Sequence, residues 1–175
     1  MISSLENPRP RKLYRYASDA NLQRALSLGE FRLRPAAEEI RPVASAQILP
    51  FGARSGAASV ASFLTLSLSS VWDERLFDEL PEAEACLVIH DTESFGERIH
   101  KAAQRALPNW AGIDAAVTYG VPSVLGTAFA RDRQLARQKE WLFAWRPMSA
   151  AMSVNPVVIE IGNIESIAEL RVRAS

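Results

Sequence analysis

The run Gln138-Lys139-Glu140-Trp141-Leu142-Phe143-Ala144-Trp145 carries the clearest pattern in the chain. It passes from polar to apolar at Trp141 and stops at Pro147, which is typical of a buried strand with a polar entrance. A carboxylate, Glu140, stands where this strand begins, two residues after the amide of Gln138. A carboxylate and an amide so placed can hold a hydroxyl group of a sugar, and we therefore expect a polar site at this strand end.

The amino-terminal part predicts a strand, a helix and a second strand. Lys12 to Tyr16 is short and aromatic, and alternation along a strand directs Tyr14 and Tyr16 to one side and Arg15 to the other. Capping side chains and a following glycine bound a helix over residues 19–28. Residues 30–34 alternate polar and apolar, as in a half-buried strand.

A second polar strand is predicted for residues 63–71. Alternation places Thr65, Ser67 and Ser69 on one face and three leucines on the other. Three hydroxyl groups on one face fit a polar cleft, and they equally fit a solvated surface, which is the commoner arrangement.

The remaining elements complete an α+β pattern in which strands dominate and strict β-α-β alternation is absent. We expect a single domain over residues 1–175, with a loose lead-in over residues 1–11. Residues 35–62, rich in Pro, Ala and Ser, predict a long loop that either covers a site or is a surface insertion. The other expected elements are a short helix or irregular segment at 72–80, strands at 86–89, 115–119, 141–146 and 156–161, a loop or short helix at 126–137, and helices at 92–107 and 164–170.

Composition narrows the class of protein. Twenty basic and twenty acidic residues give no net charge, which argues against strong binding to nucleic acid or to an anionic membrane. The single cysteine, Cys86, cannot form an internal disulfide and favours a reducing compartment. Because no signal peptide or membrane span is evident, we expect a cytoplasmic protein without a membrane partner.

Common catalytic motifs are missing from the sequence. There is no phosphate-binding glycine loop and no nucleophile elbow. His90 and His100 are the only histidines, so we expect no metal site, and we interpret both as structural because nothing in the sequence marks a partner that would orient a base.

Taken together, Tyr14-Arg15 on a first strand, the serine-bearing strand and Gln138-Lys139-Glu140 resemble the Arg, Ser-x-Ser and [Glu/Gln]-x-Glu pattern of arginine-serine-glutamate-class ADP-ribosyltransferases. The wider layout is similar to a bacterial family of unknown function with an ADP-ribosyltransferase-like fold. Glu82-Ala83-Glu84 also fits the last motif, but it follows Pro81 in an expected turn.

The resemblance implies a split β-sandwich with a few peripheral helices, gripping NAD as a substrate in its central cleft. Arg15, beside Tyr14, would contact the phosphates or ribose of NAD, and Ser67 or Ser69 would position the glutamate and the nicotinamide ribose. Glu140 would accept a hydrogen bond from the ribose 2′-hydroxyl and stabilise the positive charge that develops as nicotinamide leaves. Gln138 would face the acceptor.

The resemblance also leaves details open. The serine pair that matches the family is either Thr65/Ser67 or Ser67/Ser69, and Trp72, Phe129 or Trp141 would stack on the nicotinamide or on the acceptor. The acceptor is a protein, a nucleic acid or a small molecule.

Three functions therefore compete. The first is an NAD-dependent ADP-ribosyltransferase or NAD-cleaving enzyme. The second is a catalytically inactive relative that binds a nucleotide or a protein. The third is an unrelated α+β protein in which Glu140 and Arg15 form a structural ion pair.

Overall fold

The computed structural model describes residues 8–36, 63–149 and 154–174, and these residues form an α+β structure with a mostly antiparallel sheet. Most of the segment expected to be a long loop, residues 37–62, lies outside the described residues. No helix within the described ranges is long and apolar enough to cross a bilayer. The helices are α1 (Asp19–Leu28), α2 (Leu76–Glu79) and α3 (Thr92–Ala106), with 3-10 turns at Thr127–Phe129 and Arg133–Gln138. The strands are β1 (Leu13–Ala17), β2 (Glu30–Pro35), β3 (Leu64–Ser69), β4 (Ala85–Ile89), β5 (Trp110–Ala116), β6 (Thr118–Tyr119), β7 (Ala130–Arg131), β8 (Glu140–Pro147), β9 (Val157–Glu160) and β10 (Ala168–Val172).

Local side-chain chemistry sets the ends of both long helices. The Ser18 side chain accepts a hydrogen bond from the Asn21 amide at the start of α1, and Gly29 ends the helix with φ of 68°. A side chain at Gly29 would collide with the Gly162 carbonyl, so this position requires glycine for space as well as for φ. Asp91 caps α3 by accepting from the Ser94 amide. The helices predicted at 19–28 and 92–107 are confirmed.

The main sheet branches at β3. One edge of β3 pairs with β8 along its whole length, from Leu64↔Trp145 to Ser69↔Glu140. The other edge is shared by two strands, because β1 pairs with β3 at Ser69 and β2 pairs with it at Leu64 and Thr65. Beyond β1 lie β4 and β10, beyond β2 lies β9, and β5 pairs with β8. The strands β1 and β2 therefore separate from each other opposite the middle of β3.

The main core lies between one face of the sheet and helices α1 and α3. Phe95 of α3 contacts the ring of Phe143 edge-on, and Phe143 stacks on Trp145. On the opposite face of β8, Leu142 and Ala144 belong to a smaller cluster. Because β8 is buried on both faces, its direction is fixed, and Glu140 is held at the polar end of a rigid strand.

Two sequence predictions are wrong. The last helix, expected at 164–170, is instead a turn followed by β10, whose residues Ala168–Val172 pair with β4. The spacing of Ile164, Ile167 and Ala168 fits one helical turn, but pairing with the edge of β4 satisfies more backbone groups. The strand expected at 115–119 begins earlier, at Trp110, and is followed by the separate two-residue strand β6.

A network around Asp114 ties the amino-terminal segment to the sheet. Arg9 donates to both Asp114 oxygens from Nε at 2.7 Å and from Nη2 at 2.9 Å. His100 and the indole Nε1 of Trp141 each lie 2.8 Å from the same carboxylate. Burial favours the neutral acid, but these hydrogen bonds and the Arg9 charge outweigh it and hold the pKa of Asp114 well below its usual range. Residues 1–7 of the expected loose lead-in lie outside the described residues, whereas Arg9 is firmly held.

Candidate functional site

One cavity brings together all six residues that the sequence singled out. It has a volume of about 340 Å³ and lies where β1 and β3 separate. These residues come from β1, β3, the second 3-10 turn and the start of β8, and they are Tyr14, Arg15, Ser67, Ser69, Gln138 and Glu140. Positions that lie far apart in the chain thus converge on one space.

Arg15 occupies the gap between the parting strands. Its Nη1 donates to the backbone carbonyl of Ser67 at 2.9 Å. Tyr14 and Tyr16 face the other side of β1, where both pack against Trp72. The sequence prediction that the tyrosines and Arg15 point to opposite sides is confirmed, and the guanidinium is directed to the middle of β3.

The serine that stands opposite Glu140 is Ser69. The two residues are register partners in neighbouring antiparallel strands, so their side chains share a face. The Ser69 hydroxyl donates to the Gln138 carbonyl at 2.7 Å and accepts from the Val71 amide at 3.2 Å. Ser69 therefore fixes the backbone that leads into Glu140. Ser67 also lines the cavity, whereas Thr65 does not belong to its lining, so the cavity contains the Ser67/Ser69 pair.

Glu140 is held by two residues that the sequence did not single out as site residues. Its Oε2 lies 3.2 Å from Nε of Arg131, whose side chain is only 3% exposed. Nη1 of Arg131 also donates to the carbonyls of Ala128 at 2.7 Å and Ala130 at 3.1 Å. The backbone amide of Glu140 donates to the Tyr119 hydroxyl at 2.7 Å. Arg131 lies in the segment 126–137, for which the sequence predicts a loop or short helix, and Tyr119 ends the strand predicted at 115–119; neither residue carries a motif.

Two of the tyrosines near the site, Tyr119 and Tyr16, stay neutral at ordinary pH. Burial, together with the nearby charge of Glu140, raises the pKa of Tyr119 far above its usual value. Burial also raises the pKa of Tyr16 to about 12, and the Tyr16 hydroxyl accepts from the Asp73 amide at 2.9 Å. Neither of these two phenols can serve as a base near neutral pH, whereas the Glu140 carboxylate lines the cavity and can accept a hydrogen bond from a ligand.

A second cavity, of about 580 Å³, continues from the first between β1, α1 and β2. The two cavities have four lining residues in common, which are Arg15, Tyr16, Arg34 and Leu80. The lining of the second cavity is mostly polar, although the buried side chains of Leu22, Ala25 and Phe31 also border it. Two arginines, Arg15 and Arg34, thus stand where the two cavities border each other.

Two of the three aromatic residues expected to stack on a ligand belong to the core. Trp141 is 3% exposed and Phe129 is fully buried, and neither lines the cavity. Trp72 packs against Tyr14, Tyr16 and Phe77 and is not among the lining residues. Stacking on the nicotinamide by Trp141 or Phe129 is therefore wrong, because both rings are needed to fill the interior.

Neither histidine lines the candidate cavity. His100 does have a carboxylate partner, Asp114, which the sequence argument missed, but the pair lies in the structural network described above. Within the described parts of the chain, no group of three or more His, Cys, Asp or Glu side chains could hold a metal ion.

Comparison of the chain with models of known protein families, with curated proteins and with solved structures finds no match. The resemblance to ADP-ribosyltransferases therefore depends on the sequence motifs alone.

Proposed function

We propose that this protein cleaves NAD at the bond between nicotinamide and ribose and passes the ADP-ribosyl group to an acceptor. The observation that carries the proposal is the convergence of Arg15, Ser69 and Glu140 on one cavity at the parting of two strands. Nicotinamide leaves with the electron pair of the broken bond, and the acceptor nucleophile forms the new bond to the same carbon and loses its proton. Water as the acceptor gives free ADP-ribose.

Glu140 supplies the electrostatic part of this reaction. The transition state carries positive charge on the ribose, and a positioned carboxylate that accepts a hydrogen bond from the 2′-hydroxyl stabilises it. Gln138, on the same rim, faces the acceptor. The acceptor class stays open among protein, nucleic acid and small molecule.

The two joined cavities favour a dinucleotide over a smaller ligand. NAD consists of two nucleotides linked by a diphosphate, and the guanidinium fork is well suited to phosphate oxygens. In the proposed complex the diphosphate lies at Arg15 and Arg34, where the cavities meet. The nicotinamide ribose then lies beside Glu140, and the adenosine lies in the second cavity. We place the reaction in the cytoplasm, in keeping with the single buried cysteine, Cys86.

The test is nicotinamide release from NAD by the purified protein and by Glu140→Ala and Glu140→Gln variants. Loss of the positioned carboxylate should lower the rate by roughly 100-fold or more. The matched control is Glu84→Gln, which changes the chance copy of the motif; the Glu84 carboxylate receives the Asp19 amide and lines neither cavity. Release that is equal in the wild type and in both Glu140 variants would refute the assignment.

A second candidate, an inactive relative that binds a nucleotide, is favoured by one observation. The buried Arg131 cation lies against Glu140 and offsets part of the negative charge that the reaction needs. This candidate predicts binding of NAD or ADP-ribose by calorimetry without nicotinamide release. Nicotinamide release that appears only when cell lysate supplies an acceptor would instead support the enzyme.

A further inference from the structure

The small parallel sheet formed by β6 and β7 contacts Glu140, the first residue of β8, through one side chain from each of its strands. Tyr119 and Arg131 are register partners in this sheet, so they stand side by side. Tyr119 receives the backbone amide of Glu140 through its hydroxyl, and Arg131 forms an ion pair with the Glu140 carboxylate. One pair of neighbouring residues thus holds both the backbone and the side chain of Glu140.

Tyr119 and Arg131, together called the clamp, are themselves rigidly supported. The carbonyls of Ala128 and Ala130 fix the Arg131 guanidinium from one side, so it cannot swing away from the carboxylate without leaving buried donors unsatisfied. Thr118, next to Tyr119, donates from its hydroxyl to the Phe129 carbonyl at 3.3 Å and joins the two strands once more.

An ion pair on the surface would not need such support from neighbouring backbone groups. The side chains of Arg131 and Glu140 are 3% and 12% exposed, and burying two charges is costly unless their geometry is good. The pair of Arg137 with Glu79 is more exposed, with side chains that are 46% and 30% exposed. Among the described residues that line the cavity with Glu140, the other charged side chains are Arg131 from β7, Arg15 from β1 and Arg34 from β2.

We propose that Tyr119 and Arg131 are positioning residues that hold the Glu140 carboxylate in the orientation needed to accept the ribose hydroxyl. This inference rests on the proposed function. The Arg131 charge offsets part of the negative charge of Glu140, but the reaction needs that charge at a fixed place, and Arg131 holds the carboxylate there. Removing the cation therefore slows the reaction, although it leaves the carboxylate less neutralised.

The first test separates binding from turnover. Arg131→Gln and Tyr119→Phe should each lower kcat for nicotinamide release by roughly 10- to 100-fold, the range typical of residues that orient a reacting group. The KM for NAD should change less than about threefold, because neither side chain binds the substrate. Arg131→Lys should recover part of kcat, since it keeps the charge but not the fork that also reaches the two carbonyls.

The same assay supplies a control and the results that would contradict the inference. Arg137→Gln, which removes an exposed arginine from the neighbouring 3-10 turn, should change neither constant. Effects of Arg131→Gln and Tyr119→Phe that multiply in the double variant would overturn the clamp, because residues acting as a unit are non-additive. An increase in kcat for Arg131→Gln would also overturn it.

A second measurement keeps the inference testable if the wild type releases no nicotinamide, the result that would count against the proposed function. Urea unfolding of Arg131→Gln, Glu140→Gln and the double variant measures how strongly the two side chains are coupled. We expect the coupling to change the unfolding equilibrium constant at least about tenfold, and a coupling below about twofold would overturn the clamp whatever the activity.

Discussion

Replacing Asp114 with Asn tests whether the hydrogen-bond network around this carboxylate stabilises the fold. The Asp114 side chain is 8% exposed and receives hydrogen bonds from Arg9, His100 and Trp141. Asparagine keeps the shape but removes the charge, and it turns one acceptor oxygen into a donor that faces other donors. The Arg9 cation, whose own pKa is raised chiefly by its hydrogen bond with Asp114, then loses its partner.

The size of the effect follows from burial. Removing one partner of a buried ion pair costs about 3–5 kcal/mol, because the remaining charge is left without compensation. A count of hydrogen bonds gives a similar destabilisation. Two or three charge-assisted hydrogen bonds contribute about 1.5–3 kcal/mol each, and the loss is smaller by the bonds that asparagine can still make. Since a domain has about 5–15 kcal/mol of total stability, the variant should unfold far more easily than the wild type.

The dependence on pH adds a second, independent signature. The folded-state pKa of Asp114 lies below that of an unfolded aspartate, which is about 3.9, so the unfolded chain takes up this proton first as the pH falls. The contribution of Asp114 is therefore complete above about pH 5 and is lost as the pH falls from about 4 towards the folded-state pKa. The difference between wild type and Asp114→Asn should be constant near neutral pH and should narrow below about pH 4.

Urea unfolding followed by circular dichroism at a series of pH values measures both effects. The control is Asp78→Asn, which breaks the exposed pair with Arg173 and should cost less than about 1 kcal/mol. An Asp114→Asn variant that unfolds within about 1 kcal/mol of the wild type would show that the network is not a major source of stability. A difference that stays constant into strongly acidic solution would contradict the depressed pKa.

Three further substitutions or modifications test other parts of the fold. Gly29→Ala should destabilise the protein by more than about 1 kcal/mol in urea unfolding, because the position has φ of 68° and a methyl group there meets the Gly162 carbonyl. Phe143→Ala, in a fully buried site, should cost about 3–5 kcal/mol, and a loss below about 1 kcal/mol would show that its aromatic cluster is not tightly packed. Burial raises the pKa of the Cys86 thiol to about 12, so a thiol reagent in mildly alkaline buffer should label this residue only after unfolding, and rapid labelling of the folded protein would contradict its burial.

Predictions from the sequence succeeded where the signal is local. The ends of α1 are marked by the Ser18 cap and by Gly29, and both act within a few residues of the helix, so the bounds 19–28 could be predicted. β10 was missed because its partner, β4, lies about eighty residues earlier, and the pairing cannot be deduced from the spacing of apolar residues.

In the candidate site, too, some residues could be predicted from the sequence and others could not. Glu140 could be selected because it stands at the polar end of an apolar strand, with Gln138 two residues before it, and Ser67 and Ser69 because hydroxyl groups alternate with leucines along β3. Arg131 could not, because a buried arginine is recognisable only from the partners that compensate its charge, and these are backbone carbonyls and a carboxylate brought together by the fold.

The position of the cavity follows from the way in which the strands share β3. Among the described strands, β1 reaches that edge only at Ser69, and β2 reaches it only at Leu64 and Thr65. The backbone between them needs other partners, and Arg15 provides one by donating to the Ser67 carbonyl. The same branching that opens the cavity therefore leaves a backbone acceptor, which the Arg15 guanidinium satisfies. Arg15 has this structural role whether or not a ligand is present. Glu140 is likewise held in place by the fold, through its amide by Tyr119 and through its carboxylate by Arg131.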